Sequence, residues 1–342
     1  MPISCRPALF SSQLFCLFLV AAPPVMAAAP TIAGCPLQPA DNIWNAPVDT
    51  LPVAANSAAY IDTIGRATAL HPDFGAGTWD GGPIGIPYNL VSAGQATATV
   101  TFLYAEESDP GPYPIPANPL IEGGPDSNGD RHILIVDQDA CRLYELYDAR
   151  PQTAFSWTAG SGAIFDLRAN GLRPDGWTSA DAAGLPILPG LVRYEEVAAG
   201  SINHALRFTA SRTGSSHLWP ARHHASSLTG GQYPPMGQRF RLKAGVDISG
   251  LSPAAGVIAR AMRKYGLILA DNGSDWYISG VPDERWNNDV LRELSRLSGD
   301  DFEAVDVSGL MVDPDSGQIG TGSLSGGAGF PWLLLLLTGH VP

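Results

Sequence analysis

The sequence predicts a mainly β protein, an antiparallel β-sandwich or jelly-roll-like fold with a few helices in the C-terminal third. Its 38 glycines and 30 prolines are spread along the 342 residues, which is typical of many short strands joined by tight turns. Residues 95–104 alternate between apolar and polar side chains, as a half-buried antiparallel strand does. After residue 252 the apolar spacing becomes helical, with Ile258, Met262 and Tyr265 at i, i+4 and i+7.

The N-terminal residues 1–27 predict a signal peptide. Arg6 precedes an apolar run at 14–20, and Val25-Met26-Ala27 is a small-residue cleavage pattern. We therefore expect a secreted or periplasmic protein that begins near Ala28. Residues 28–310 are expected to form a single β-rich domain.

The charge of the chain limits its partners. The formal net charge is −13, and loss of Arg6 with the signal makes it −14. An acidic domain without a basic cluster repels nucleic acid and anionic lipid. We expect no nucleic-acid partner, no transmembrane helix in the mature chain, and a monomer.

Cysteine usage also depends on export. Cys5 and Cys16 leave with the signal, so that only Cys35 and Cys141 remain. Two cysteines in an oxidising compartment predict one disulfide. A competing interpretation is that the sequence 32–35 is a lipobox, which would lipidate Cys35, anchor the protein to the cell surface and leave Cys141 unpaired.

A β-hairpin is expected at the centre of the chain. Two β-rich runs, 131–137 and 141–147, are separated by two polar residues. A loop of two or four residues places His132 beside Glu145 on an otherwise apolar face. An imidazole next to a carboxylate suits acid–base catalysis, although a structural ion pair has the same appearance.

Segments on either side of this hairpin in the sequence lead to different structural predictions. The Pro/Gly-rich connection 107–130 predicts either a staple between strands or the wall of a binding cleft. In the C-terminal third, Ser252 and Pro253 predict the start of a helix that Gly266 ends. A second hairpin over 267–279 and a helix over 283–297 should follow.

Histidines are concentrated in the middle of the chain. His204 lies on an alternating strand, and His217 and His223 flank Trp219. Neutral imidazole serves as a general acid or base and is also the commonest metal ligand. A catalytic site would require these histidines to converge with His132 and a carboxylate in one pocket.

The segment 155–197 supplies further candidates, because its carboxylates can exchange protons and its tryptophans offer flat faces to a sugar ring. Gly160-Ser161-Gly162 lacks the G-x-S-x-G spacing of a serine hydrolase. No H-E-x-x-H or C-x-x-C pattern occurs, so no cofactor is expected, and a divalent metal is only an alternative. The candidate catalytic residues are His132, Glu145, Asp166, His204, His217 and His223. The candidate substrate-binding residues are Trp157, Trp177, Asp181 and Trp219.

Residues 311–342 are expected to form a Gly-rich and apolar tail. The apolar run 330–337 is too short to cross a bilayer, which takes about 20 residues. The tail resembles a truncated GlyGly-type bacterial sorting signal that lacks the closing basic cluster. An apolar tail docked on the fold is the other interpretation.

Seven motifs extend over nearly all of residues 41–310: DNIWNAPVDTLPV, HPDFG, GDRHILIVDQDACRLYELYDA, SGAIFDL, GWTSADAAGLPILPGLVRYEEV, HALRFTA and LADNGSDWYISG. They resemble the motifs of a family of uncharacterised secreted bacterial proteins. The resemblance implies export and a single unit, and it carries neither an activity nor a catalytic residue.

Export, an acidic β scaffold, aromatic loops and histidine–carboxylate pairs together indicate a glycan-active protein. We expect a hydrolase or lyase that acts on an extracellular polysaccharide by acid–base chemistry; this analogy rests on fold class and composition. One alternative is a non-catalytic cell-surface or carbohydrate-binding protein, in which the histidines fill the core. Another is a metal-dependent hydrolase that uses His132, His204 and His217 or His223.

Overall fold

The chain has a mainly β fold, as the sequence predicts, in a computed structural model that describes residues 28–320. The strands are β1 (Thr31–Ile32), β2 (Cys35–Pro36), β3 (His71–Asp73), β4 (Thr78–Trp79), β5 (Gly82–Pro83), β6 (Tyr88–Val91), β7 (Thr99–Phe102), β8 (Ile133–Asp137), β9 (Arg142–Tyr147), β10 (Arg150–Thr153), β11 (Ser156–Ala159), β12 (Ser161–Asp166), β13 (Leu206–Ala210), β14 (Arg239–Leu242), β15 (Leu267–Asn272), β16 (Tyr277–Ser279) and β17 (Phe302–Val305). The α-helices are α1 (Ser57–Ile64), α2 (Tyr194–Ala198), α3 (Pro253–Lys264) and α4 (Asn288–Arg292).

Two larger sheets organise these strands. The six-stranded sheet has the order β17-β14-β15-β13-β16-β3, and the four-stranded sheet has the order β12-β9-β8-β6. A three-stranded sheet, β10-β11-β7, accompanies them. Parallel pairs occur beside the expected antiparallel ones, because β13 runs parallel to β15 and β6 runs parallel to β8. The sheets are therefore mixed.

Apolar residues cover both faces of the four-stranded sheet. Leu134 and Leu143 belong to the apolar cluster that contains Ile187, whereas Ile133 and Ile135 belong to the cluster on the opposite face. A strand buried on both faces is a continuous apolar run rather than an alternating one, which explains the consecutive apolar residues of β8. A third and larger cluster packs α3 on the six-stranded sheet.

The Pro/Gly-rich connection 107–130 packs against the four-stranded sheet. Tyr113, Ile115 and Ile121 are buried in the same cluster as Ile133, so the connection is a staple over this face. Leu120 is an exception, since 56% of it is exposed.

The central hairpin forms as predicted, but its register is different. Strands β8 and β9 pair antiparallel with Leu134 opposite Glu145, so the expected pairing of His132 with Glu145 is wrong. The reason lies in the turn at 138–141, where the carboxylate of Asp137 accepts hydrogen bonds from the backbone N–H groups of Asp139 and Ala140. This Asx turn centres the four-residue loop one residue later than expected, which moves the register by two positions.

The predicted hairpin over 267–279 is wrong. Strand β13 lies between β15 and β16 and pairs with both of them. Leu267 and Ile268 are fully buried, as residues of a central strand are, and a central strand needs a neighbour on each side. Residues 95–104 also differ from expectation, because only Thr99–Phe102 form a strand and that strand runs parallel to β11.

The helix predicted after residue 252 is confirmed as α3. It ends at Gly266, whose φ is +75° and where a Cβ would lie 2.2 Å from the Phe240 carbonyl oxygen. The helix predicted over 283–297 is shorter than expected. The Asn287 side chain caps α4 by accepting from the N–H groups of the first turn, and a 3-10 turn over Glu293–Arg296 continues it.

The expected disulfide is confirmed. Cys35 and Cys141 are bonded with 5.4 Å between their Cα atoms, so the lipid-anchor interpretation of Cys35 is wrong. Residues 311–320 lie beyond the predicted end of the domain, yet they pack on it through a bridge between Asn42 and Gln318 and through the buried Ile319. The predicted signal peptide and the tail from residue 321 lie outside the described residues. Within 28–320, no helix is both long and apolar enough to cross a membrane.

We expect the disulfide to contribute strongly to stability, because it closes a loop of 106 residues in the unfolded chain. The double variant Cys35→Ser/Cys141→Ser should lose about 2–5 kcal/mol of unfolding free energy in urea titrations. Oxidised wild-type protein is the reference, and non-reducing peptide mapping should recover the linked peptides. Two free thiols, or a diacylglyceryl group on Cys35, would contradict this expectation.

Candidate functional site

One face of the six-stranded sheet carries a row of polar side chains across four neighbouring strands. The Arg207 guanidinium on β13 donates a hydrogen bond of 2.6 Å to the Ser279 hydroxyl on β16, and Ser279 is paired in register with Asp73 on β3. Asp271 of β15 accepts from the same guanidinium at 3.3 Å. We use the name acidic site for the group Asp73, Glu122, His132, Asp181, Arg207 and Asp271.

Asp181 binds Arg207 in a forked ion pair. Its two carboxylate oxygens accept three hydrogen bonds from the guanidinium, at 2.5, 2.7 and 3.0 Å. Asp181 is 1% exposed and Arg207 is 5% exposed. Burial would lower the pKa of Arg207, but the charge of Asp181 outweighs it and raises that pKa. Arg207 therefore stays charged in the interior, where this bidentate geometry compensates its burial.

Asp271 has an unusually high affinity for a proton. Burial raises its pKa, the charge of Asp181 raises it further, and Arg207 opposes both only in part, which brings the value to about 8. Its side chain is 19% exposed, so it remains open to solvent. Its surroundings thus favour the protonated form of Asp271, which can donate a proton to a ligand.

Glu122 is in the opposite state. Its Oε2 lies 2.5 Å from Nδ1 of His132, and its backbone N–H donates to the His132 carbonyl. Burial lowers the pKa of His132, but the charge and hydrogen bond of Glu122 raise it to about 10, and the same pair lowers the pKa of Glu122 despite its burial. Glu122, 26% exposed, is therefore an ionised carboxylate held by an imidazolium.

The two halves of the acidic site are joined by one short segment. Nε2 of His132 lies 3.1 Å from the carbonyl oxygen of Ala180, and Asp181 is the next residue. Because a carbonyl only accepts, this nitrogen carries a proton. The segment that supplies Asp181 to Arg207 thus also orients His132, and through it Glu122.

Glu145 has a positioning role rather than a solvent-facing one. It is fully buried, and its carboxylate accepts hydrogen bonds of 2.9–3.0 Å from the backbone N–H groups of Ile187 and Leu188. Burial raises its pKa to about 7, and the backbone hydrogen bonds oppose the rise. Glu145 fixes the 187–188 backbone against β9.

A cation would have one place to bind among residues 28–320. Only Glu122, Asp130 and His132 form a group of three in which imidazole and carboxylate ligand atoms lie within 4.8 Å of one another. The Nδ1 atom of His132 already shares a proton with Glu122. A divalent ion would have to displace that proton, so the geometry favours the ion pair.

The other predicted histidines each have their own partners, and among residues 28–320 none of them joins His132 in a group of three ligand atoms. His204 is fully buried, with Nδ1 on the Ala205 carbonyl at 2.8 Å and Nε2 3.1 Å from Glu196. His217 contacts Asp175 at 3.0 Å. His223 lies 2.8 Å from the Ala182 carbonyl, and its ring stacks on His224, which stacks in turn on His217. The expected convergence of His132, His204 and His217 or His223 is therefore wrong.

The predicted aromatic platform does not form either, since its members within residues 28–320 serve packing. Trp157 is 6% exposed in an apolar cluster, Trp177 lies beneath the Arg173 guanidinium at 5.4 Å, and the Trp219 indole donates to the Ser316 carbonyl at 2.8 Å. Asp166 is exposed and only closes a turn. Buried aromatic surface stabilises the fold more than it serves a ligand here.

Four residues of the acidic site were missed by the sequence analysis: Asp73, Glu122, Arg207 and Asp271. Asp271 was assigned to a hairpin turn, and Glu122 lay in a connection that was weighed as a cleft wall. The length of that connection was the available signal, because long loops in compact domains are usually functional. The sequence contains no such signal for Arg207, because its partners are distant in sequence.

A cavity of about 280 Å³ lies at a different place, lined by Val246, Asp247, Leu251, Arg296 and Asp301 among others. It contains none of the residues of the acidic site. The volume of a cavity is not by itself evidence of acid–base chemistry, whereas the surroundings of Asp271 and Glu122 shift their pKa values in opposite directions. We therefore place the candidate site at the acidic site.

Comparisons with protein-family models, curated proteins and solved structures found no match for the chain. The resemblance to a secreted bacterial family therefore stays a prediction, and the chemistry has to be argued from the acidic site itself.

We expect Asp181→Asn to destabilise the protein by about 3–5 kcal/mol, because it leaves the Arg207 charge buried with too little compensation. The matched control is Asp289→Asn, which removes an exposed ion pair with Arg292 and should cost less than about 1 kcal/mol. Urea unfolding of both variants checks this. If the unfolding free energy of Asp181→Asn lies within about 1 kcal/mol of wild type, no further than that of the control, Asp181 is not the partner that compensates the buried Arg207.

The pH dependence of stability should show the His132 ion pair. The folded pKa of His132 is about 10, against about 6.5 in an unfolded chain, so its contribution is complete below pH 6.5 and is lost as pH rises towards 10. Urea titrations at pH 6, 8 and 10 should therefore give a steeper loss for wild type than for His132→Gln. If the unfolding free energy of the two proteins depends equally on pH, the raised pKa of His132 is contradicted.

Proposed function

We propose that the protein is a secreted hydrolase that cleaves glycosidic bonds in an extracellular polysaccharide, with Asp271 and Glu122 as its two carboxyl groups. One arrangement carries the proposal: two partly exposed carboxyl groups of one site have opposite surroundings, because burial and Asp181 raise the pKa of Asp271, whereas His132 lowers the pKa of Glu122. Glycoside hydrolysis needs such a pair, one acid and one carboxylate.

Each group then has a defined task. Asp271 donates its proton to the glycosidic oxygen, so that the leaving sugar departs as a neutral alcohol. Glu122, kept ionised by His132, stabilises the positive charge that develops on the ring as the bond breaks. A water molecule then adds to the anomeric carbon and gives up a proton to the Asp271 carboxylate, which restores the acid. Arg207 and Asp181 position Asp271 and do not exchange protons themselves, because their bidentate pair is fully buried.

The charge of the acidic site favours hydrolysis over elimination. Carboxylates outnumber the two cations, Arg207 and the protonated His132. Lyases act on uronic acid chains, whose own carboxylates such a surface repels. The substrate class is therefore a neutral or amino-sugar polysaccharide.

A binding protein without catalysis is the second candidate, and one observation favours it. Trp79 exposes 79% of its surface, as a residue that stacks on a ligand does. Such a protein would retain the same glycans and release no product, whereas the opposed protonation states of Asp271 and Glu122 would serve no purpose in it.

Purified protein incubated with neutral and amino-sugar polysaccharides should release new reducing ends, identified by mass spectrometry. Asp271→Asn and Glu122→Gln should each lower the rate about 10²–10⁴-fold, because each removes one group that acts on the reacting bond. Asp289→Asn, at an exposed position on α4, should retain the wild-type rate.

Two outcomes would decide against the proposal. Binding of a polysaccharide without any product would identify a binding protein. A wild-type rate in Asp271→Asn would mean that another group is the acid.

A further inference from the structure

We infer that the β4–β5 hairpin is an arm that stacks a sugar ring of the glycan next to Glu122, with Trp79 as the contact residue. The inference rests on the proposed function, since it assigns a subsite of the same site. Among the large hydrophobic side chains of residues 28–320, Trp79 is the most exposed, at 79%. An indole left in water forgoes a large gain from burial, which a flat ligand can restore.

The arm is fixed against the loop that carries Glu122. A Cβ on Gly82 would lie 2.0 Å from the carbonyl carbon of Gly123 and 2.1 Å from its oxygen, so the two backbones touch and only glycine fits. Gly124 is close as well, with its Cβ position 3.4 Å from the Gly81 carbonyl oxygen. Because Gly123 follows Glu122 directly, the hairpin borders the segment that carries Glu122.

The base of the arm is fixed at its other end. The Asn288 side chain forms two hydrogen bonds with the Ala76 backbone, accepting from its N–H at 2.9 Å and donating to its carbonyl at 3.0 Å. The Gly77 N–H donates to Glu284 at 3.3 Å. Trp79 is therefore presented by a hairpin anchored on two sides, and little ordering entropy remains to be lost on binding.

A second aromatic surface lies on the strand that leads into the arm. The His71 ring on β3 stacks on Tyr277 with 4.1 Å between centroids, two residues before Asp73. A chain of sugar rings that runs along this edge would find a second aromatic face beside Asp73.

The surroundings of Trp79 select a sugar rather than a protein. Its neighbours Thr78, Asp80 and Gly81 are exposed and offer no contiguous apolar area. A protein interface requires an extended apolar patch, whereas a sugar ring requires one flat aromatic face beside polar groups. The occupant is thus a pyranose ring of a neutral or amino-sugar chain.

The test measures binding of cellohexaose, mannohexaose and chitohexaose by calorimetry, independently of turnover. Trp79→Ala should weaken binding of the hexasaccharide that wild type prefers about tenfold or more, and Trp79→Phe should retain most of the affinity. The control is Phe155→Ala, which removes an aromatic side chain that is 63% exposed at the β10–β11 turn and should bind as wild type does.

Unchanged binding in Trp79→Ala, equal weakening in Phe155→Ala, or a wild-type protein that binds none of the three hexasaccharides would each overturn the inference. Turnover separates it from the proposed function. If Trp79→Ala turns over substrate at the wild-type rate, only the role of the arm is contradicted. If binding depends on Trp79 and no product forms, only the hydrolase proposal is contradicted.

Discussion

A guanidinium buried in the face of a sheet has to be matched by carboxylates, because an unpaired charge in the interior costs several kcal/mol. Arg207 meets this requirement through Asp181 and Asp271, and it also satisfies the Ser279 hydroxyl. One side chain thereby links β13, β15 and β16 with the segment that contains Asp181. Much of the acidic site follows from that constraint, since Asp271 owes its high pKa to burial and then to Asp181, the partner of Arg207.

The segment 179–188 joins the two larger sheets through polar contacts in addition to apolar ones. It meets the six-stranded sheet at Arg207, and it meets the four-stranded sheet at His132 and at Glu145. Its turn-rich sequence leaves backbone N–H and C=O groups free to serve these partners, which a regular helix or strand would have used internally. A loop is here what orients the charged groups on both sheets.

Local patterns were sufficient for some features and insufficient for others. The helix α3, the β8–β9 hairpin and the disulfide depend on spacing, turn residues and cysteine count, all of which are legible in a short stretch. The insertion of β13 between β15 and β16 depends on long-range pairing that overrides a local turn signal. The site followed the same division: His132 was recognised, but its partner Glu122 comes from a loop and not from the facing strand.

The disulfide has a further consequence for proteolysis of the chain. Asp73, Trp79, Glu122 and His132 all lie between Cys35 and Cys141 in the sequence, and the two cysteines are covalently joined. A single cut in the exposed parts of the connection 107–130 would therefore open a ring rather than separate two fragments. Both ends of the cut chain would stay tethered to the same hairpin, so the parts of the site could remain assembled after a nick.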